Sequence, residues 1–579
     1  MKAFSEMFLP MVPLNKFLLV VAVLASMEVG HAADYTWDGG GNNGQWATAG
    51  NWNPDGTPAT GDTATFANAY ASGGTTITLP NGSQLARLLI SNTSTSGVTL
   101  TAGSLNFTGS GTSGAIEQIA GISSTNFTIN SNIEFSGNSG GTFRQFYLRG
   151  TGGTVGIGGN VTISNLSSNS TYLVDIENSS GSSSFTQSSL SVISGTGTIN
   201  YHQFLRTNAS AQTITLNGAN TFTLNAANYI RYEGAGGTLA LGSATALGNS
   251  ANQLNIGAAG TLNTVNSRSV LLTGEFTVAN NVRLFSGAGT TTIGGSNSSG
   301  RSIWSGTVQV DRATIVGETG NTTRLTAAVG GTVEFSGVVS TGTSGAAGAA
   351  GAIEKVGGGT VILSRSSGNS YTGGTIVSAG TLLVNNTTGS ASGLGTGSVA
   401  VNAGILGGTG IIAPGTGNSI AVQNGAFLAP GDSTTGNGIG TLVVNGGNTS
   451  SPLLTLSSGA KLSFQLGSAL SSDKLNFWNF STGDFVLDSN VIDVTLLAGA
   501  TTGTYNLFNF FSGLNTGLTA SGISSGLSLN FLNGGEGSLS YGTTGQINLV
   551  LTAVPEPAAW VLVAGGLSAM LIFRRRRKL

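Results

Sequence analysis

The stretch GGGTVILSRSSGNSYTGGTIVSAGTLLV, residues 357–384, contains two short apolar runs in which large side chains alternate. Val361 and Leu363 are separated by one residue, and Leu382 and Val384 repeat this arrangement 21 residues later. Alternation at a period of two predicts β-strands with one buried face. The Gly, Asn and Ser residues between the runs predict turns, because they tolerate positive φ or bond to their own backbone. This part of the chain is therefore expected to form short strands joined by turns.

The pattern recurs on both sides of this stretch. Gly359, Gly380, Gly404 and Gly425 are spaced by 21, 24 and 21 residues, and each precedes or ends a β-branched run. The further alternating pairs are Val399/Val401, Ile420/Val422 and Leu442/Val444. Gly-Thr-Leu or Gly-Thr-Val phrases also begin at Gly237, Gly260, Gly331 and Gly440, the first two being 23 residues apart.

The spacing predicts the fold class. No stretch between residues 33 and 554 has a sustained apolar period of 3.6 residues. Short strands repeated every 21–24 residues predict an all-β fold, a right-handed parallel β-helix in which one repeat of about 22 residues forms one coil. An antiparallel sandwich or a propeller is the alternative, but a propeller blade needs about 40–50 residues.

Composition excludes several classes of function. Only 8% of the 579 residues are charged, and there is no Cys, so disulfides, thiol catalysis and Cys-based zinc sites are excluded. Between residues 33 and 554 there are 20 acidic and 14 basic side chains, a net charge near −6. Nucleic-acid binding requires a basic surface, so we expect no nucleic-acid partner.

The N-terminus has the pattern of a secretory signal peptide. Lys2 and Lys16 precede the nine-residue apolar core 17–25, and Gly30 and Ala32 supply the small residues before a cleavage site after Ala32. Nine residues span only about 14 Å as a helix, too short for a membrane anchor. We therefore expect export with cleavage after Ala32, leaving a mature chain from residue 33.

The C-terminus has three parts in a fixed order. They are Pro555, Glu556 and Pro557, then the uncharged span 558–573, and finally Arg574, Arg575, Arg576, Arg577 and Lys578. Sixteen apolar residues form a short transmembrane helix of about 24 Å, and the basic cluster would remain cytoplasmic.

This three-part segment resembles a PEP-CTERM sorting signal. The resemblance covers about the last 25 residues. It implies a Gram-negative bacterium, cleavage near the tripeptide by an exosortase, a membrane-embedded transpeptidase-like enzyme, and only transient anchoring in the inner membrane. It also implies delivery to the cell surface or to the extracellular polymer matrix.

A second resemblance covers the repeat region. Residues 357–384 resemble the autotransporter-associated β-strand repeat, also called the passenger-associated transport repeat. The matching pieces are Gly359-Thr360-Val361, Asn369, Tyr371-Thr372-Gly373-Gly374-Thr375 and Ala379-Gly380-Thr381-Leu382. The family's usual Leu-Ser-Gly is here Leu363-Ser364-Arg365, a small departure. The segments Phe427 to Asp432 and Ile439 to Leu442 resemble the part that often follows such repeats, whereas the membrane barrel that ends true autotransporters has no counterpart.

These patterns predict six segments. They are the signal peptide 1–32, an N-terminal cap 33–70, degenerate β-helix repeats 71–350, autotransporter-associated repeats 351–450, a C-terminal β cap 451–553 and the sorting signal with its transmembrane helix 554–579. Trp37, Trp46 and Trp52 are expected to cap the first coil rather than to bind sugar. The C-terminal cap is predicted because aromatic residues become frequent after residue 452.

The sequence offers few groups for catalysis. A glycosidase needs two carboxylates about 5–10 Å apart. The acidic candidates are Asp175 and Glu177, which would share a strand face, Asp311 beside Arg312, and Asp484, Asp488 and Asp493 in a turn-rich stretch. After removal of the signal peptide His202, beside Tyr201, is the only histidine, and it is expected to be structural. We expect no catalytic residue, no cofactor site and no metal site.

The sequence therefore predicts an exported, non-enzymatic β-helical protein of the cell surface or extracellular matrix. Its Ser-, Thr- and Asn-rich faces could bind exopolysaccharide, other matrix components or further copies of the chain, as in a biofilm. The alternative is a polysaccharide lyase or hydrolase built on the same rod. An adhesin for host cells would differ only in its ligand.

Overall fold

The structure is a computed structural model of the whole chain, and its strands account for most of the residues that it describes. The described residues are 32–67, 75–91, 97–108, 114–120, 126–136, 142–164, 170–177, 181–200, 202–257, 267–284, 290–310, 322–341, 351–389, 391–446, 452–480, 483–510, 526–541 and 545–555.

The strands are numbered β1 to β52 in chain order. Strands β1–β17 are Asp34–Trp37, Trp52–Asn53, Thr63–Phe66, Thr75–Thr78, Ser83–Leu85, Arg87–Ile90, Val98–Thr101, Ser104–Phe107, Gly114–Gln118, Asn126–Ile129, Asn132–Phe135, Thr142–Leu148, Thr154–Ile157, Val161–Ile163, Ser170–Ile176, Ser184–Gln187 and Ile193–Gly195. Strands β18–β35 are Thr198–Ile199, His202–Thr207, Thr213–Leu216, Thr223–Leu224, Tyr229–Glu233, Gly236–Leu241, Gln253–Ile256, Ser267–Leu272, Thr277–Val278, Val282–Leu284, Thr291–Gly295, Arg301–Trp304, Val308–Val310, Thr322–Ala327, Thr332–Phe335, Val339–Thr341, Ala352–Val356 and Thr360–Leu363. Strands β36–β52 are Thr375–Val377, Thr381–Val384, Val399–Val401, Ile405–Gly408, Ile411–Ile412, Ile420–Val422, Phe427–Pro430, Thr441–Asn445, Leu454–Leu456, Lys461–Leu466, Lys474–Trp478, Phe485–Val486, Asn490–Leu496, Gly503–Phe510, Leu527–Phe531, Glu536–Tyr541 and Gln546–Ala553.

The strands stack into the long parallel sheets of a β-solenoid. Sheet 1 has 13 strands in the order β2-β1-β3-β6-β9-β12-β15-β19-β22-β24-β27-β30-β33, and sheet 2 has 16 in the order β4-β7-β10-β13-β16-β20-β23-β25-β28-β31-β34-β36-β38-β41-β44-β47. The remaining sides are a five-stranded sheet (β17-β14-β11-β8-β5), a two-stranded sheet (β18-β21), a ten-stranded sheet (β26-β29-β32-β35-β37-β39-β42-β45-β48-β50) and a six-stranded sheet (β40-β43-β46-β49-β52-β51). Along most of the chain, three successive strands enter three different sheets and therefore form one coil.

The core lies inside the coils and consists of the alternating side chains. Val361, Leu363, Leu382 and Val384 are fully buried, as the period of two predicts. Each coil contributes only a few such residues, so the apolar face of one coil is covered by the next. The all-β parallel solenoid predicted from the sequence is thus confirmed.

The predicted coil length is confirmed in the region that contains the clearest repeat. Thr360 pairs with Thr381, Thr381 with Ile405, and Ile405 with Phe427, so the coils there fall within the predicted repeat of 21–24 residues. The glycines that mark this repeat lie at the corners of the coils. Gly380 and Gly404 have φ of 64° and 77°, in the left-handed region that favours glycine.

Outside this region the predicted coil length holds for some coils, such as that from Thr75 to Val98, but many others are longer. Phe127 pairs with Val155, and Ile420 pairs with Leu454. Gly237 pairs with Arg268 rather than with Gly260, so the spacing of the two Gly-Thr-Leu phrases is not the coil length there. The corners of a solenoid accept insertions, because only the strands must stay in register.

The described part of the chain begins with a tryptophan cluster. Strand β1 pairs antiparallel with β2 and parallel with β3. Trp37, Trp46 and Trp52 are at most 1% exposed, and the ring of Trp52 lies edge-on to the other two at 5.0 and 4.6 Å. The Trp52 indole N–H donates to the carbonyl of Trp46 at 2.8 Å. The three indoles therefore cover the end of the core, and none presents a free face for a sugar.

The parallel coils extend through the aromatic-rich region after residue 452. Strands β44 to β48 all pair in parallel with strands of the preceding coils, and β49 pairs in parallel with β46. The arrangement changes only at β51 and β52, where β52 pairs antiparallel with both β49 and β51. Antiparallel closure of this kind covers part of the open edge of the six-stranded sheet.

Helices are rare in the described residues, which contain two three-residue 3-10 helices, Ala49–Asn51 and Ser468–Leu470. None of the helices in this part of the chain is long and apolar enough to cross a membrane. The predicted transmembrane span 558–573 lies outside the described residues.

Candidate functional site

The outer face of sheet 1 carries a group of charged and aromatic side chains that is unusual in a chain with so few charges. We call it the ion-pair ladder. Its members are Arg87, Glu117, Arg144, Tyr147, Arg149, Tyr172, Asp175, Glu177, Arg206, Arg231 and Glu233, supplied by or adjoining strands β6, β9, β12, β15, β19 and β22.

The strand register places these side chains next to one another. Tyr147 pairs with Glu117 on one side and with Asp175 on the other. Asp175 pairs with Arg206, and Arg206 with Glu233. Because parallel strands are about 4.8 Å apart, the side chains of successive coils form a continuous row.

Each buried carboxylate of the ladder is held between two arginines. Asp175 is fully buried, and its oxygens accept hydrogen bonds from Nε of Arg144 at 2.7 Å and from Nε of Arg206 at 2.6 Å. Glu117, 1% exposed, is paired in the same way with Arg87 and Arg149. Charge-assisted bonds to guanidinium are strong and directional, so they restrict the side chains of neighbouring coils to one arrangement.

Arginines of the ladder cover its aromatic rings and also the ring of the neighbouring Phe204. The guanidinium of Arg144 lies 4.6 Å from the ring centre of Tyr147, and that of Arg206 lies 4.9 Å from the ring centre of Tyr172. The guanidinium of Arg231 lies 5.3 Å from the ring centre of Phe204. These cation–π contacts stabilise the ladder, and they leave little ring surface for a ligand.

The far end of the ladder joins Tyr172 to Glu233. The Tyr172 hydroxyl donates to Glu233 Oε1 at 2.9 Å. Burial, together with the negative charge of Glu233, raises the pKa of Tyr172 to about 12. Tyr172 therefore stays a neutral hydrogen-bond donor at physiological pH.

His202 lies beside the ladder and has a structural contact. Its Nδ1 accepts the backbone N–H of Tyr229 at 3.2 Å, and its ring stacks on that of Tyr229 with centres 3.9 Å apart. Burial, and then the charge of Arg231, lower the pKa of His202. The neighbouring Tyr201 lies outside the described residues.

The structure places the predicted pair Asp175 and Glu177 in the ladder. The predicted group of three aspartates after residue 480 lies in different environments. In the ladder, Glu177 accepts the hydroxyl of Tyr147. Of the other three, Asp493 pairs with Lys461 at 3.1 Å, Asp484 is buried and Asp488 is exposed. Within the described residues no three acidic or histidine side chains are grouped so that they could hold a metal ion.

Several predicted residues fall at or beyond the limits of the described chain. Ala32 is the first described residue and is exposed, and Pro555 is the last and is also exposed. The remainder lie outside the described residues, namely Asp311, Arg312, Glu556, Pro557, Arg574, Arg575, Arg576 and Arg577.

A groove runs beside the ladder at the corner between sheets 1 and 2. Its volume is roughly 570 Å³, and its lining comes from described residues just before or at the start of β13, β16, β20, β23 and β25. The lining residues are Thr151, Gly181, Ser182, Asn208, Ala209, Ser210, Ala211, Ala235, Gly236 and Ser267. All are small or polar and none is charged.

The sequence pointed to two members of the ladder and to none of the groove. One signal was available, since Arg87, Glu117, Tyr147, Glu177 and Arg206 recur at nearly constant intervals. The ladder could not be assembled from that signal, because the corners of these coils differ in length and the register was unknown.

Comparison with known proteins supports a passenger-like solenoid. Residues 353–384 match the family model described as passenger-associated-transport-repeat. In the structure this segment runs from within β34 to the end of β37, so it contains strands of two successive coils that pair with each other.

The chain also resembles a curated protein described as "Adhesin BmaC autotransporter" from Brucella suis biovar 1 (strain 1330). The two are 36% identical over 135 residues, which is 23% of this chain and 3% of the length of the adhesin. The match therefore covers a small part of a much longer protein.

Proposed function

We propose that this chain is an exported, non-enzymatic protein of the cell surface or extracellular matrix. The observation that carries the proposal is a long parallel solenoid containing a passenger-associated transport repeat and sharing 36% identity over 135 residues with an autotransporter adhesin. Adhesion suits such a solenoid, because weak polar contacts repeated on many coils add up to useful avidity. We take the coils to be right-handed, since parallel crossover connections almost always are.

The ends of the sequence support export and sorting. The signal peptide would direct the chain across the inner membrane, with cleavage after Ala32. Pro555, Glu556 and Pro557, the apolar span 558–573 and Arg574 to Arg577 would then hold it transiently in that membrane. An exosortase-type enzyme would cut near the tripeptide and deliver the solenoid to the surface.

A binding role agrees with the chemistry of the described surface better than catalysis does. The most buried carboxylates of the ladder, Asp175 and Glu117, have both oxygens engaged by arginines. A catalytic acid or base needs an oxygen that can reach the substrate. The expected partners are exopolysaccharide or other matrix components, with no cofactor and no nucleic acid.

The test is the intact mass of the protein recovered from the surface or medium of the native cell. The proposal predicts a chain that begins at Ala33 and ends near Pro555 to Pro557, without the arginine tail. The second readout is fractionation of the matrix, in which the released protein should co-purify with extracellular polymer. A mass that ends at Leu579 would mean that the anchor is retained, and the proposed release into the matrix would be wrong.

A further inference from the structure

The groove beside the ladder runs along the axis of the solenoid. Thr151, Ser182, Ser210, Gly236 and Ser267 come from five successive coils, and each lies in or next to the turn that enters sheet 2. Successive coils are about 4.8 Å apart, so the groove repeats the same kind of surface at that interval. A linear ligand lying along the axis would meet this surface repeatedly.

The groove offers hydroxyl and backbone groups at this spacing. Thr151, Ser182, Ser210 and Ser267 are all exposed, and they form a column of hydroxyls interrupted only at Gly236. The backbone of Gly181 packs closely on the preceding coil, because a Cβ atom on Gly181 would lie 2.9 Å from the carbonyl oxygen of Gly150. The surface is therefore polar, uncharged and shaped by the backbone.

Hydrogen bonds connect the turns that form the groove to the ladder and to the residues next to it. The side-chain amide of Asn208 donates to the carbonyl of Glu177 at 3.0 Å, and Nε of Arg268 donates to the carbonyl of Gly234 at 2.7 Å. Glu177 itself bonds Tyr147 of the ladder. A groove whose turns are already held in place loses little conformational entropy when a ligand binds.

We propose that this groove binds a neutral, hydroxyl-rich polysaccharide chain lying parallel to the solenoid axis. The inference rests on the proposed function and goes beyond it by assigning the site and the ligand class. Regularly spaced hydroxyls, amides and carbonyls of the protein match the regularly spaced hydroxyls of a linear glycan. Each contact is weak, and the sum over five coils provides the affinity.

Other polymers fit the groove less well. Nucleic acid requires cationic side chains, and the lining has none. A peptide that adds to a sheet requires a free strand edge, whereas the groove is walled by turns. A strongly anionic polymer would lie beside Glu177 and Glu233 as well as the arginines, and the carboxylates offset most of the attraction of the arginines.

The experiment is native electrophoresis of the mature protein in gels containing dextran, galactomannan or laminarin, with alginate as the anionic comparison. Ala211 is exposed in the groove, so Ala211→Tyr should fill it without disturbing the core. Ala227→Tyr is the matched control, because Ala227 is exposed at another corner of the same coil. Ser182→Tyr blocks the groove one coil away. It provides an independent test of the site if Ala211→Tyr does not fold.

We expect at least one neutral polysaccharide to retard the wild type. Both groove variants should then bind about tenfold more weakly, while Ala227→Tyr matches the wild type. If the groove variants also match the wild type, the site assignment is wrong and the proposed matrix function stands. If only alginate retards the protein, or no polymer does, the ligand class is wrong, whereas the mass and matrix fractionation of the native protein still test the proposed function.

Discussion

At the scale of single residues, glycine decides where a coil can turn. Gly380 and Gly404 stack on successive coils, and the carbonyl of each accepts the backbone N–H of the residue that begins the next strand of the same sheet. Ile405 N–H donates to Gly380 at 2.8 Å, and Phe427 N–H donates to Gly404 at 2.9 Å. The corner is so close-packed that a Cβ on Gly404 would collide with the carbonyl oxygen of Gly380.

Gly404 and Gly425 provide a matched pair of substitutions. Their φ values are 77° and 79°, but a Cβ on Gly425 would have no atom within 4 Å. Gly425→Ala should therefore cost only the left-handed strain, about 1–2 kcal/mol. Gly404→Ala adds a collision with the backbone and should cost about 3 kcal/mol or more in the free energy of unfolding.

Urea unfolding of the mature protein measures both values. Equal destabilisation by the two substitutions would mean that the backbone can move apart at Gly404. The stacked corner would then be ruled out as the reason for this glycine.

At the scale of elements, a buried carboxylate joins three strands near the C-terminal end of the solenoid. Asp473 precedes β46, and it accepts the N–H of Gly440, which precedes β43, at 2.8 Å and the N–H of Gln465 in β45 at 2.7 Å. It is 1% exposed. Burial raises the pKa of Asp473 to about 7, although the two N–H donors act in the opposite direction.

This carboxyl makes stability depend on pH. Its pKa rises from 3.8 in the unfolded chain to about 7 in the fold, so between these values the fold holds a proton that the unfolded chain has lost. The free energy of unfolding must then decrease as the pH rises through this window, by about 1.4 kcal/mol for each pH unit. Asp473→Asn cannot titrate and should remove this part of the slope.

Unfolding by urea at several pH values on both sides of this window measures the slope. Asp488→Asn is the control, because Asp488 is an exposed carboxyl in the same part of the chain. An unchanged slope in Asp473→Asn would contradict the assignment, whatever the absolute stability of that variant.

At the scale of the whole molecule, the solenoid is held together by contacts between neighbouring coils. Sheet 2 alone contains 16 strands, and all its pairings are parallel and link adjacent coils. The free energy of unfolding is then a sum over the coils and the interfaces between neighbouring coils. A destabilising substitution at one end should therefore not affect the other end. The tryptophan cluster at the start of sheet 1 is the place where this can be measured.

Trp52→Ala should destabilise the first coils and leave the stability of the distant coils unchanged. Trp52 is fully buried against Trp37, Trp46 and Phe66, so its removal should cost about 3–5 kcal/mol locally. Hydrogen exchange should become faster in β1 and β3 and stay unchanged in β38 to β45.

Trp304→Ala is the comparison, since Trp304 is buried in the middle of the solenoid. Its removal should instead open coils on both sides of β29. Faster exchange along the whole chain in Trp52→Ala would mean that the solenoid unfolds as one cooperative unit, and the local description would fail.

The sequence predicts the strands well, because they depend on local geometry. It predicts the site poorly, because the site depends on which distant strands pair. Val361, Leu363, Leu382 and Val384 are buried because alternation within one strand depends only on local geometry. The ladder depends on which strands are neighbours. Arg144, Asp175 and Arg206 meet although 31 residues separate each from the next, and no local pattern measures the turns between them.

By itself the sequence determined that this chain folds into stacked short strands with an alternating core, with glycine at the corners of the clearest repeat. These properties follow from side-chain periodicity and backbone sterics, which act over a few residues. Only the tertiary structure decided that coils of unequal length place Asp175 between two arginines and align Thr151, Ser182 and Ser210 along one groove. The physical reason is that register between parallel strands is set by backbone pairing across coils, and turns of different length can join the same pair of strands.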